Sequence, residues 1–139
     1  MANLYAERKV KNLPNIPNLK IMNLLKKRQL LQKRRWRIRK KINGSKDKPR
    51  LVVCFSNKNI HAQCIDDSTS STLVSASTNE KDLKGTLPNI TGSTKLGEIL
   101  GKRLSSAGLT TLVFDRAGRK YHGCVKAFAD AVRNEGLKF

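Results

Sequence analysis

The residues able to do chemistry in this sequence are cations and the rings beside them. Arg116, Arg119 and Lys120 follow the short apolar run Thr111-Leu112-Val113-Phe114, with Tyr121 and His122 directly after. A second concentration lies at Lys33–Lys41, where seven of nine residues are cationic: Lys33, Arg34, Arg35, Arg37, Arg39, Lys40 and Lys41. Trp36 and Ile38 are interleaved among them. Lys and Arg displace counterions from phosphates, while Trp, Tyr and His stack on unpaired bases. The chemistry indicated is recognition of an anion with flat faces, and RNA fits that description. The plainer alternatives are a solvated loop at 116–120 and a solvated helix whose Trp36 packs on the domain.

Composition supports the first reading. The chain has 139 residues, enough for one domain and not two, and a net charge of +19. Residues 1–50 hold 17 Lys/Arg against 2 acidic residues, and residues 51–139 hold 12 against 8. The excess therefore sits on an amino-terminal arm, here taken as 1–49, ahead of a globular domain at 50–139. Such a charge implies a polyanionic partner, nucleic acid or an anionic membrane surface. No apolar run is long enough to span a bilayer, and a membrane-lying helix would want a wider apolar face than this arm offers. No signal-peptide core is present at the start. The acid-poor arm has the composition of a transit peptide but is expected to be retained.

Three cysteines, Cys54, Cys64 and Cys124, make an odd count without a C-x-x-C pair, and the only histidines are His61 and His122. They read as buried small hydrophobes in a reducing compartment, not as a zinc site. Asp66, Asp67 and Asp115 are candidates for two-metal phosphodiester cleavage. They are few, and Asp66-Asp67 falls in what reads as a plain turn. Neither catalysis nor a cofactor is expected. A non-specific basic nucleic-acid-binding protein is the other alternative.

The elements that must position these residues read as follows. Residues 1–19, with Pro14 and Pro17, are expected to be irregular. Residues 19–42 place Ile21, Leu24, Leu25, Leu31, Ile38 and Ile42 at helical spacings. Asn43–Pro49 is turn chemistry and serves as the hinge. Arg50–Ser56, Asn59–Asp66 and Thr72–Ser77 are three strands joined by short turns, an antiparallel meander. Its solvent face would offer Ser56, Asn57, Lys58, His61 and Gln63, all hydrogen-bond formers. Thr78–Thr91 is a loop with a short helical start at 79–84. Ser93–Ala107 is an amphipathic helix capped by Ser93 or Thr94. It leads into the strand Thr110–Phe114, which should lie parallel in the sheet. Gly123–Asn134 is the last helix, and Leu137 and Phe139 are expected to fold back onto the core.

Laid out in this order, the residues resemble a known family. Arg50-Leu51-Val52-Val53, Ser56-Asn57-Lys58, Ala62-Gln63 and Ile65-Asp66-Asp67 are similar to the first hairpin of the 5S-rRNA-binding ribosomal protein eighteen family of the large subunit. Leu73–Thr78 resembles its third strand, and Val113-Phe114-Asp115-Arg116, Gly118, Tyr121-His122-Gly123 and Val125-Lys126-Ala127 its signature. Ala129-Asp130-Ala131, Arg133 and Gly136-Leu137-Lys138-Phe139 also fit. The resemblance covers about 50–139. His61 stands where Tyr is common in the family, Cys124 where Arg is common, and Ala117 for a frequent Gly. The resemblance implies a mixed α/β domain with a ribonuclease-H-like motif: a three-strand meander, one parallel strand and two packed helices behind a basic helical arm. It also implies that one surface docks on 5S rRNA and that the arm bridges toward large-subunit rRNA in the central protuberance. The other 5S-binding protein, ribosomal protein five, would be a neighbour. The ribosome would be bacterial and cytoplasmic, or that of a chloroplast or mitochondrion. Arg50 at the head of the first strand and Lys126 in the last helix complete the expected contact set.

Overall fold

The structure is a computed structural model that describes residues 17–139, with side chains from Asn23 onward. The irregular segment read at 1–19 thus lies outside the described residues, except that Pro17–Leu19 are helical. The chain divides into two compact units, one ending at Arg34 and the other running from Arg35 to Phe139. Helix α1 (Pro17–Arg39) starts two residues earlier than its apolar spacing suggests. Proline suits a first helical turn, where its missing N–H has no partner to lose. The helix ends at Arg39, short of the expected 42, and Lys41 and Ile42 return their amides to Ile38 O.

The sheet consists of β1 (Arg50–Phe55), β2 (Ile60–Asp66), β3 (Ser71–Ser77) and β4 (Val113–Asp115), in the spatial order β3-β2-β1-β4. The first three strands are the antiparallel meander, and β4 runs parallel to β1. Ser56 closes the β1–β2 turn. Its amide and hydroxyl both reach Asn59 O, and its Oγ accepts from Asn59 N. Helix α2 (Ile90–Ser106) lies between β3 and β4, and α3 (Cys124–Asn134) closes the domain. The expected short helix of 79–84 is a single 3₁₀ turn at Lys81–Leu83.

Two further boundaries differ from the sequence reading. The cap of α2 is Asn89, whose side chain accepts from Gly92 N at 2.8 Å. Ser93 is instead buried inside the helix and donates its hydroxyl to Asn89 O. Gly92 cannot be larger: a Cβ there would lie 2.0 Å from Leu87 O. The last strand is shifted as well. Thr110–Leu112 pairs with the chain terminus, through Leu112 N to Lys138 O and Lys138 N to Thr110 O. Only Val113–Asp115 joins the sheet.

Strand alternation separates two faces. Leu51, Val53, Ile60, Ala62 and Cys64 point into one core with Leu96, Leu100 and Leu104 of α2 and Phe128 and Val132 of α3. Leu137 joins that core and Phe139 packs on it, as expected. The two helices approach closely where α2 carries glycine: a Cβ at Gly97 would sit 2.7 Å from Ala131 Cβ and 2.8 Å from Phe128 O. The other face has no helix of α2 or α3 on it. Registered across it are Cys54, His61 and Ser77, then Val52, Gln63, Ser75 and Asp115.

Candidate nucleic-acid interface

The open face carries the polar residues of the meander. His61 and Gln63 are exposed, and His61 Nδ1 lies 2.9 Å from Ser77 Oγ. Asn57 and Lys58 project from the turn at the head of this face, while the Ser56 hydroxyl is occupied in closing that turn. Because β1 and β4 are parallel, the loop after β4 emerges at the same end as that turn. Arg119 joins the two: its Nη2 donates to Phe55 O at 2.7 Å and its guanidinium lies 5.4 Å from the Phe55 ring centroid. Lys120 and His122 are exposed beside it, and Arg116 is half-buried.

The loop has an unusual backbone. Ala117 adopts φ +51, the left-handed region that favours glycine, and Gly118 follows at φ +82. Ala117 is held on both sides: its amide donates to Asp115 Oδ1 at 2.9 Å, and its carbonyl accepts from Arg35 Nε at 3.3 Å. So the last turns of α1 meet the loop. There Arg37, Arg39, Lys40 and Lys41 are exposed, and Trp36 is 58% exposed, not packed on the domain. Lys33 and Arg34 are exposed on the helix as well.

Arg50 requires a correction. It was expected to face RNA, yet it is 3% exposed. Its Nε and Nη2 grip Asp67 at 2.7 and 2.6 Å, and its Nη1 reaches Asp115 at 3.1 Å. The reason is register. Arg50 opposes Ile65 and Val113, which brings it beside Asp67, just beyond β2, and Asp115, the last residue of β4. The Arg50 guanidinium holds the Asp67 carboxyl down at about 2, assisted by the Gly44 amide, and the two aspartates hold the arginine up. Asp66 is also low, because the Ser68 hydroxyl and amide bond it. All three aspartates proposed as metal ligands thus have internal partners. Among the described residues no group of three or more His, Cys, Asp or Glu could hold a metal ion. Burial pushes the Cys64 thiol up to about 11, which leaves it unreactive.

Tyr121 and Lys126 lie toward α3. Lys126 is exposed on that helix. Tyr121 Oη accepts from Arg133 Nη1 at 2.6 Å, and the same guanidinium stacks over Phe139 at 4.6 Å. Arg133 also bonds Asp130 Oδ1 at 3.4 Å, so it ties the Tyr121 ring to α3 and to the C-terminal Phe139. Asp67 and Asp115 were missed as supports of the site because nothing local marks them as partners of Arg50.

The fold and the site together define a basic α/β module for a polyanion, with cations grouped at one end of an open sheet face. Residues 25–139 match the model of the family described as ribosomal L18 of archaea, bacteria, mitochondria and chloroplasts. A large ribosomal subunit protein uL18 of Picosynechococcus sp. is 52% identical over 116 residues, 81% of this chain and 97% of that one. Its counterpart in Synechococcus sp. is 49% identical over 123 residues, 85% of this chain and 100% of that one. That of Lysinibacillus sphaericus is 48% identical over 113 residues, 81% and 95% respectively. The chain belongs to the ribosomal L18 family. It is a structural protein of the ribosome, not an enzyme.

Proposed function

We propose that the chain binds 5S rRNA and helps to attach it to the large-subunit rRNA in the central protuberance. The observation that carries this reading is the grouping at one end of the sheet: the β1–β2 turn, the Arg116–His122 loop and the end of α1 meet there through Arg119 and Arg35. A surface that combines fixed cations with exposed amide and ring side chains suits folded RNA, whose backbone takes the cations and whose unpaired bases take the rest.

In this reading Lys33, Arg34, Arg35, Arg37, Arg39, Lys40 and Lys41 meet phosphates and Trp36 stacks. Asn57, Lys58, His61 and Gln63, with the Ser56 turn, meet the 5S backbone and base edges. Arg116, Arg119, Lys120, Tyr121, His122 and Lys126 form the second patch, and Arg50 leaves the set. The arm at 1–49 extends toward large-subunit rRNA, ribosomal protein five is a neighbour, and the ribosome is bacterial or organellar. No helix among the described residues is long and apolar enough to cross a membrane. Offered total bacterial rRNA at physiological salt, the purified chain should retain 5S rRNA above its share of the mixture. Recovery of RNA species in proportion to length would overturn the assignment.

A further inference from the structure

We propose that Arg50, Asp67 and Asp115 are positioning residues for RNA binding: they lock the end of α1 and the Arg116–Lys120 loop into one rigid unit before RNA arrives. The proposal rests on the reading of those two segments as RNA contacts.

Hydrogen bonds and the chain from Gly44 back to α1 together close a ring. Arg35 Nε donates to Ala117 O, and Ala117 N donates to Asp115 Oδ1. Asp115 Oδ2 accepts from Arg50 Nη1, whose other two donors engage Asp67. Asp67 Oδ2 also accepts from Gly44 N at 2.8 Å, and Asp67 N donates back to Gly44 O at 3.1 Å. Gly44 lies two residues beyond Ile42, whose amide returns to Ile38 O on α1. One buried guanidinium therefore connects the exit of the helix, the β2–β3 turn and the cationic loop. Gly44 fits because it is small, since a Cβ there would lie 2.6 Å from Arg50 N and 2.7 Å from Ile65 O.

The function of such a ring is pre-organisation. Two cationic segments joined by a loose hinge must each be ordered when RNA binds, and that ordering lowers affinity. Held at fixed separation, they meet a folded RNA as one surface. A buried Arg50 touches no phosphate, so its loss should lower affinity without changing how many counterions are released.

The test uses the full chain with two charge-neutral variants, Arg50→Met with Asp67→Asn, and Gly44→Ala. The second displaces the hinge from the sheet while leaving every core side chain in place, so it remains informative if the first does not fold. Melting curves establish folding. Trp36 is the only tryptophan and adjoins Arg35, which makes its anisotropy a reporter of the helix end. In the folded variants, anisotropy without RNA should fall, 5S affinity should drop about tenfold, and the log–log salt slope should stay that of the native chain. Native affinity in a folded variant, or a slope shallower by about one contact as for a lost phosphate partner, would overturn the proposal. If the native chain shows no preference for 5S rRNA, the functional reading above is what fails. The anisotropy, measured without RNA, then decides the coupling on its own.

Discussion

At the scale of single residues, the site depends on a few groups whose roles are internal. Ala117 holds a left-handed backbone that costs an alanine about 1–2 kcal/mol, while glycine adds back about 0.5–1 kcal/mol of chain entropy. Ala117→Gly should therefore raise stability by up to about 1 kcal/mol, read as a higher denaturant midpoint with unchanged slope. A clear loss would mean that the Ala117 methyl, which is buried, contributes more than its backbone strain costs. Asp67 makes a prediction in pH. Its folded carboxyl sits at about 2, below the value near 3.9 of an unfolded chain. A depressed carboxylate stabilises the fold fully above its unfolded value and loses that contribution as pH falls toward its folded one. About 2 kcal/mol should thus disappear between about pH 4 and pH 2. Denaturant melts of the native chain and Asp67→Asn should converge over that window, and parallel curves would contradict the account. On the RNA side, Arg116→Ala should weaken 5S binding by ~1–3 kcal/mol if its contact is specific, as a titration would show, and an unchanged affinity would remove Arg116 from the site.

At the scale of elements, the close approach of α2 and α3 is the least forgiving contact. Gly97→Ala places a methyl against Phe128 O and Ala131 Cβ, so the helices must separate. A loss of about 1–3 kcal/mol in thermal or denaturant unfolding is expected, as for other overpacked cores. Phe128→Ala, which empties the centre of the same core, should cost about 3–5 kcal/mol. These elements were also the legible part of the sequence. Alternation at Ile60–Asp66 and the stripe of Leu96, Leu100 and Leu104 follow from local periodicity, and both appear where expected. What periodicity could not supply was the partner of each end. Thr110–Leu112 has the composition of a sheet strand yet pairs with Lys138, and Asn89 caps a helix whose first core leucine, Leu96, lies about two turns later. Arg50 looked like a surface cation because its carboxylates are 17 and 65 residues away. The cationic loop, by contrast, was legible, since glycine and charge after an apolar run leave a chain few other options.

For the whole molecule, the proposed function combines two modes of binding, because the charge of residues 1–50 far exceeds that of 51–139. The arm's cations attract any polyanion, and their contribution falls steeply with salt. In the proposed function the sheet end, with Arg119 bonded to Phe55 O, exposed His61 and Gln63 and the left-handed Ala117, adds contacts that depend on the shape of the RNA. The central claim is that the second mode exists and selects 5S rRNA. The most direct measurement is a salt titration of binding to 5S rRNA, to a structured RNA of equal length and to a DNA duplex. The account predicts that 5S rRNA binds most tightly and that its lead persists as salt rises, because base and shape contacts release no counterions. Three affinities falling together along one steep line would contradict it, leaving only the charge of the arm.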